Sequence, residues 1–216
     1  PVLHLLQLLV YHLFLQSVIR FVQNSSVLIQ DSASAEEMLK RDIVNAISDK
    51  LEATILGSAA GSATMPAGIF NGVTPETKDI TYKRLVDMET ALEEANVAGN
   101  KCFIVSPSAK GILKTTAKDA LYNVTDGGVH TCVGCAGCLM EENEVNGYPV
   151  YCTSNVTSKG VVMGHFEDFV IGQWGGIDLT VDPYTQAANG KVRLVINAYF
   201  DAKPRRTGSF QKAILK

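Results

Sequence analysis

Neither sign of charge dominates this sequence: 19 Lys+Arg stand against 22 Asp+Glu, a formal net charge of -3. A dedicated binder of nucleic acid or of an anionic membrane needs a cationic surplus to neutralise phosphates, so that class is excluded as the main role. Aromatic residues are few, 7% with a single Trp, yet 46% of the chain is hydrophobic and only 19% is charged. That balance excludes intrinsic disorder. Over 216 residues it supports a buried core in one domain or two small lobes. The five cysteines are too sparse, and odd in number, for the disulfide framework of a small secreted domain. A reducing compartment is expected instead.

Catalytic patterns are missing too. The small-residue loop Gly57–Gly68 has the glycines of a phosphate cradle, but it follows a helix and no Lys-Ser/Thr pair closes it. A turn with close backbone approach is the expected reading. No His-x-x-x-His or His-Glu pair occurs, and His165 beside Glu167 and Asp168 has no serine in a nucleophile-elbow context. Hydrolase chemistry is therefore not expected. The carboxylate pairs Glu36-Glu37 and Glu93-Glu94 fall on predicted helices, where adjacent residues diverge by ~100°, so they read as solvated faces. Trp174 reads as a packing anchor at a strand end.

Acidic residues are absent from positions 1–23, where Arg20 is the only formal charge. His4, Gln7, His12, Gln16 and Arg20 interrupt the apolar run every three to five residues, which favours an amphipathic packing helix over a membrane span. No basic segment precedes the run and no small-residue cleavage site follows it, so a signal peptide fits poorly. Residues 1–23 are expected to be a buried or oligomer-facing segment.

Two long helices are legible. Ser34-Ala35-Glu36-Glu37 has the capping-box pattern, and Leu39, Ile43, Ile47, Leu51 and Ile55 then form one stripe that Gly57 ends. A second helix is expected over 81–98, with Leu85, Met88, Leu92 and Ala95 on one face and Gly99 as its stop. Cys102–Ser106 reads as a buried strand, with a short helix from Pro107 through Leu113. Strands are predicted at 149–153, 160–164, 169–173, 177–181, 191–201 and 210–215. Helices first and strands later give an α+β fold with mostly antiparallel pairing.

One constellation has the spacing of a metal or cluster site: Cys132-x-x-Cys135-x-x-Cys138, with Gly134 and Gly137 allowing a tight backbone. His130, Cys152 or Cys102 would be the fourth ligand. Structural zinc more often takes two separated pairs. No second pair exists here, so a loop of free thiols is favoured, and an iron–sulfur or zinc-binding protein using Cys132, Cys135 and Cys138 is the alternative reading.

Several strings, taken in order, resemble the tailed-phage major capsid proteins of the Hong Kong 97-type fold, which encapsulins share. Phe21–Asp31 resembles the strand leading into that family's long spine helix, and Met38–Ile55 is similar to the helix itself. Ile55-Leu56-Gly57 through Met65-Pro66-Ala67-Gly68-Ile69 resembles the turn that closes it. Phe103-Ile104-Val105-Ser106-Pro107, followed by Leu113 and Lys118-Asp119, resembles a second family segment. Val145-Asn146-Gly147-Tyr148-Pro149-Val150 resembles a third, and Gly164-His165-Phe166-Glu167-Asp168-Phe169 a fourth.

The resemblance implies a peripheral lobe (24–72 and 176–206) with the spine helix and a long β-hairpin, and an axial lobe (73–175 and 207–216). It implies a subunit of a phage or prophage icosahedral capsid that assembles with itself into pentamers and hexamers. The location implied is the virion, with the bacterial host cytoplasm before assembly. Scaffold, portal and head-maturation proteins would be further partners, packaged DNA would be touched only non-specifically, and no catalysis, membrane or cofactor is implied. The family's N-terminal arm and extended loop have no counterpart in residues 1–23. A lysine-to-asparagine cross-link known in one member is not carried over, because the matching position is ambiguous between Asn189 and Gly190.

Overall fold

The computed structural model describes residues 17–25, 33–62, 65–118, 125–126, 129–130, 137–182, 184–185, 187–189 and 191–216. Among the described residues the α-helices all precede Thr116 and most strands follow it, as expected for an α+β fold, and the chain divides into two units.

Unit 1 takes in the described residues of Pro1–Ile55, Gly61–Ala67 and Ile171–Ala202. It opens with strand β1 (Ser17–Ser25), which pairs antiparallel with β9 (Lys191–Pro204) from Ser17↔Tyr199 to Ser25↔Lys191. On the other side of β9 lies β8 (Phe169–Asp182), so the sheet order is β1-β9-β8. Residues 17–23 are thus strand, which corrects the amphipathic-helix reading over that stretch. Val18, Ile19, Phe21 and Val22 are β-branched or aromatic, and a waiting partner strand decides in favour of the residues' sheet preference. Residues 1–16 lie outside the described residues.

Helix α1 (Ala33–Ile55) contacts β1 and buries Ile43, Ile47 and Ile55, as its four-residue stripe predicts. It begins at Ala33, so Ser34 lies inside the helix and is not its N-cap residue. The segments expected at 169–173 and 177–181 are one continuous strand. Gly175, at φ +73°, carries the backbone through the interruption.

Unit 2 covers Leu56–Ala60, Gly68–Val170 and Lys203–Lys216. Its sheet has the order β10-β7-β2-β6-β5, formed by β10 (Phe210–Ile214), β7 (Gly160–Gly164), β2 (Cys102–Val105), β6 (Tyr148–Cys152) and β5 (Glu144–Val145). Only β2 and β6 run parallel; β10–β7, β7–β2 and β6–β5 are antiparallel. Every residue of β7 is buried, which explains its uninterrupted apolar run Val161-Val162-Met163. A separate two-stranded ribbon pairs β3 (Thr125–Asp126) with β4 (Val129–His130).

Helix α2 (Tyr82–Glu94) packs on β10 and β7 through Leu85, Met88 and Leu92. The Thr81 side chain accepts from the Arg84 N–H at its start. The helix stops before Gly99. Asn96 takes the left-handed position at φ +52°, its N–H donates to Glu93 O and the Val97 N–H donates to Leu92 O. That paired pattern satisfies the last carbonyls and turns the chain four residues ahead of the expected end. Helix α3 (Pro107–Thr115) starts where expected, with the buried Ser106 oxygen accepting from the Ala109 N–H.

The loop after α1 folds back on itself. Gly68 N–H donates to Ala59 O and Phe70 N–H donates to Gly57 O, both at 3.0 Å, and Phe70 is fully buried. A β-carbon on Gly68 would sit 2.1 Å from the Gly57 carbonyl oxygen. Close backbone approach is therefore the reason this loop is rich in small residues.

Candidate assembly surfaces

Cys132 and Cys135 lie outside the described residues. Cys138 is disulfide-bonded, while Cys102 and Cys152 are free. The free-thiol reading is thereby corrected at Cys138. Gly137, at φ +70°, lets the backbone turn tightly beside it. A sulfur held in a disulfide offers no thiolate to a metal. Among the described residues no group of three or more His, Cys, Asp or Glu is placed to hold a metal ion. Cys102 is half-buried, and burial pushes its thiol pKa up.

The remaining candidates have structural roles. His165 is largely buried. Its Nδ1 donates to the Asn100 carbonyl at 2.8 Å, and its Nε2 lies 3.6 Å from Glu167. The ring occupies the space a side chain at Gly99 would need, 2.5 Å from that glycine's ideal β-carbon. Trp174 is not at a strand end; it sits within β8, half-buried, with its ring over Gly172. Asn189 belongs to a short turn (Ala187–Asn189), and Gly190 lies outside the described residues. Among the described residues no helix is long and apolar enough to cross a membrane.

The segment Gly164–Phe169 acts as a brace. The Ser209 hydroxyl donates to Asp168, and the Arg205 N–H donates to the Asp168 carbonyl at 2.7 Å. Phe210 packs edge-on against Phe166 and Phe169, with ring centroids 5.3 and 5.9 Å away. Gly164 has no room for a side chain, since a β-carbon there would meet the Ser209 carbonyl at 2.5 Å. The turn over 203–209 is held rigidly as a result.

Among the described residues, unit 2 carries two clefts at its surface. One, of about 520 Å³, is lined by Tyr82, Lys118, Glu141, Glu142, Glu144 and Asn146. The other, of about 440 Å³, is lined by Ala95, Val97 and the turn Lys203–Ser209. Near the first, the Tyr148 hydroxyl donates to Glu89 at 3.0 Å, and the Asn146 amide donates to the same carboxylate. Desolvation, then the hydrogen bond to Glu89 and the negative charges of Glu89 and Glu93, push the Tyr148 pKa up from its ordinary 10.0. A raised folded-state pKa stabilises the protein fully below the unfolded value, and that contribution is lost as pH climbs through the folded value. Stability should fall above about pH 10, and Tyr148→Phe should flatten that alkaline loss. Urea midpoints between neutral and strongly alkaline pH check this; an equally steep loss in the variant contradicts it.

Unit 1 leaves apolar side chains in water. Ile171, Ile177 and Val181 along β8 are about half exposed, and Tyr184 just beyond is 86% exposed. Several large exposed apolar groups on one strand and its following turn mark a surface suited to association rather than chemistry. Neither this strand nor the clefts assemble a nucleophile, a base and an oxyanion site.

Comparison with known proteins agrees with that character. The model of the phage capsid family matches residues 14–213. The major capsid protein of Halomonas phage phiHAP-1 is 27% identical over 190 residues, covering 85% of this chain and 29% of that relative. The chain thus spans less than a third of the length of this curated relative. Among solved structures, the capsid of an empty GTA particle superposes with a TM-score of 0.64 at 18% identity, over 94% of this chain and 73% of that one. Gordonia phage Cozz gives 0.59 at 15% identity, over 94% and 70%. A Synechococcus elongatus encapsulin complex gives 0.58 at 12%, over 93% and 73%. At such identities the structures speak for the fold, the Hong Kong 97-type shared by phage capsids and encapsulins. The sequence match spans nearly the whole chain, and with it this chain belongs to the phage capsid family.

Proposed function

We propose that the chain is a structural subunit of a phage or prophage icosahedral capsid, associating with copies of itself into pentamers and hexamers. The observation that carries this reading is the family match over residues 14–213. Unit 1, with α1 and the strands β8 and β9, is read as the peripheral lobe. Unit 2 is read as the axial lobe. The subunit would reside in the virion, and in the host cytoplasm before assembly. Contact with packaged DNA would be non-specific, because the chain's net charge of -3 gives no general pull on phosphates. Scaffold, portal and head-maturation proteins would be further partners.

Heterologous contacts that close by rotation build rings, so association should be concentration-dependent and end in species of defined size. Sedimentation velocity of the purified chain across a wide concentration range tests this. Growth from monomer to a five- or six-subunit species is the expected result. A monodisperse monomer at high micromolar concentration would contradict the reading.

A further inference from the structure

The two clefts of unit 2 carry opposite charge and lie at opposite ends of one helix. Tyr82, the first residue of α2, lines the cleft with Glu141, Glu142 and Glu144; Ala95, just past its last residue, lines the cleft with Lys203, Arg205 and Arg206. The 13 residues of α2 set these ends about 20 Å apart, at 1.5 Å of rise per residue. Within the acidic cleft Lys118 is 3.9 Å from Glu141, and Glu141 also accepts from the Cys138 N–H, so that carboxylate is engaged. Glu142 and Glu144 are exposed and make no ion pair among the described residues, and the same holds for Lys203, Arg205 and Arg206.

We propose that the basic turn Lys203–Arg206 of one copy docks at the acidic turn Glu142–Glu144 of a second copy, head to tail. The inference rests on the self-association reading and names the residues that steer it. A second copy is favoured because the complement to each cleft is present on the chain itself. Acidic and basic faces at opposite ends of one helix make a heterologous contact, the kind that closes into a ring. The basic turn is also braced by Asp168, Ser209 and Phe210, so it loses little freedom on docking. DNA is the weaker occupant: three cations in one cleft are far from a continuous basic track.

Charge reversal tests the contact. The paired variants E142K/E144K and R205E/R206E alter exposed side chains only, and unchanged circular dichroism and melting temperature would show that each still folds. Each alone should associate roughly 100-fold more weakly than the parent chain, because like charges then face one another. Mixing the two should restore association, since the all-basic chain meets the all-acidic one at every contact. Alternation also restricts the mixture to rings with an even number of copies. The chain carrying all four reversals should associate alone, and added salt should weaken association of the parent chain. If both paired variants associate like the parent, or neither the mixture nor the fourfold variant recovers, the contact is wrong while self-association stands. If R205E/R206E assembles normally but loses binding to a short DNA duplex, DNA is the occupant and the proposal falls. A parent chain that never associates overturns the self-association reading, and this contact with it.

Discussion

Truncating Phe103 to alanine is expected to cost about 3–5 kcal/mol, the range for removing a buried aromatic ring. The residue has no exposed surface and sits mid-sheet, in register with Met163 of β7 and Val150 of β6. Its ring meets Tyr148 edge-on at 6.5 Å and belongs to the same core as Leu85, Met88 and Leu92 of α2. A cavity there would loosen strand from strand and helix from sheet together. Since whole domains are stable by only about 5–15 kcal/mol, the variant should be close to unfolded at growth temperature. Tyr151→Ala, one strand away but 60% exposed, should stay within about 0.5 kcal/mol. Urea denaturation of both reads the contrast, and similar midpoints for the two variants would show that the sheet has been placed the wrong way round.

The same substitution at two glycines should act in opposite directions. Gly68→Ala forces a methyl group to 2.1 Å from the Gly57 carbonyl oxygen, a backbone atom that cannot swing aside. Separating the two chains breaks the bond from the Phe70 N–H to that carbonyl and lifts Phe70 from the core. A loss of about 3 kcal/mol is expected, at the upper end for overpacking. Gly111→Ala lies within α3, with nothing within 4 Å of the added carbon. It should gain about 0.5–1 kcal/mol from helix preference alone. Melting curves of the two variants decide the matter. A harmless Gly68→Ala would mean that the fold-back of residues 57–70 is not close.

Features set by local, repeated physics were legible in the sequence. The stripe Leu85, Met88, Leu92 marks the buried face of α2, and the run Val161-Val162-Met163 marks a strand covered on both sides. The glycines at 57 and 68 also show in the composition of their loop. Features decided by distant partners were not legible. Residues 17–23 have helical polar spacing, and only pairing with β9 makes them strand. The end of α2 at Asn96 rather than Gly99 follows from a left-handed asparagine, which the sequence offers as one breaker among several. The cysteine spacing favoured a loop of free thiols over a metal site, and the disulfide at Cys138 is a pairing that spacing does not encode. The opposed clefts were missed because each draws residues from parts of the chain far apart in sequence. Tyr82 meets Glu141–Glu144 in one and Ala95 meets Lys203–Arg206 in the other. The adjacent charges Arg205-Arg206 and Glu141-Glu142 were the available signal.

The proposed assembly has this chain form rings by repeating one contact around rotation axes. Negative-stain electron microscopy of the purified chain, concentrated at low salt, tests it most directly. Class averages with fivefold and sixfold rings, alone or within closed particles, are the predicted result. Uniform single-subunit particles at every concentration would contradict it.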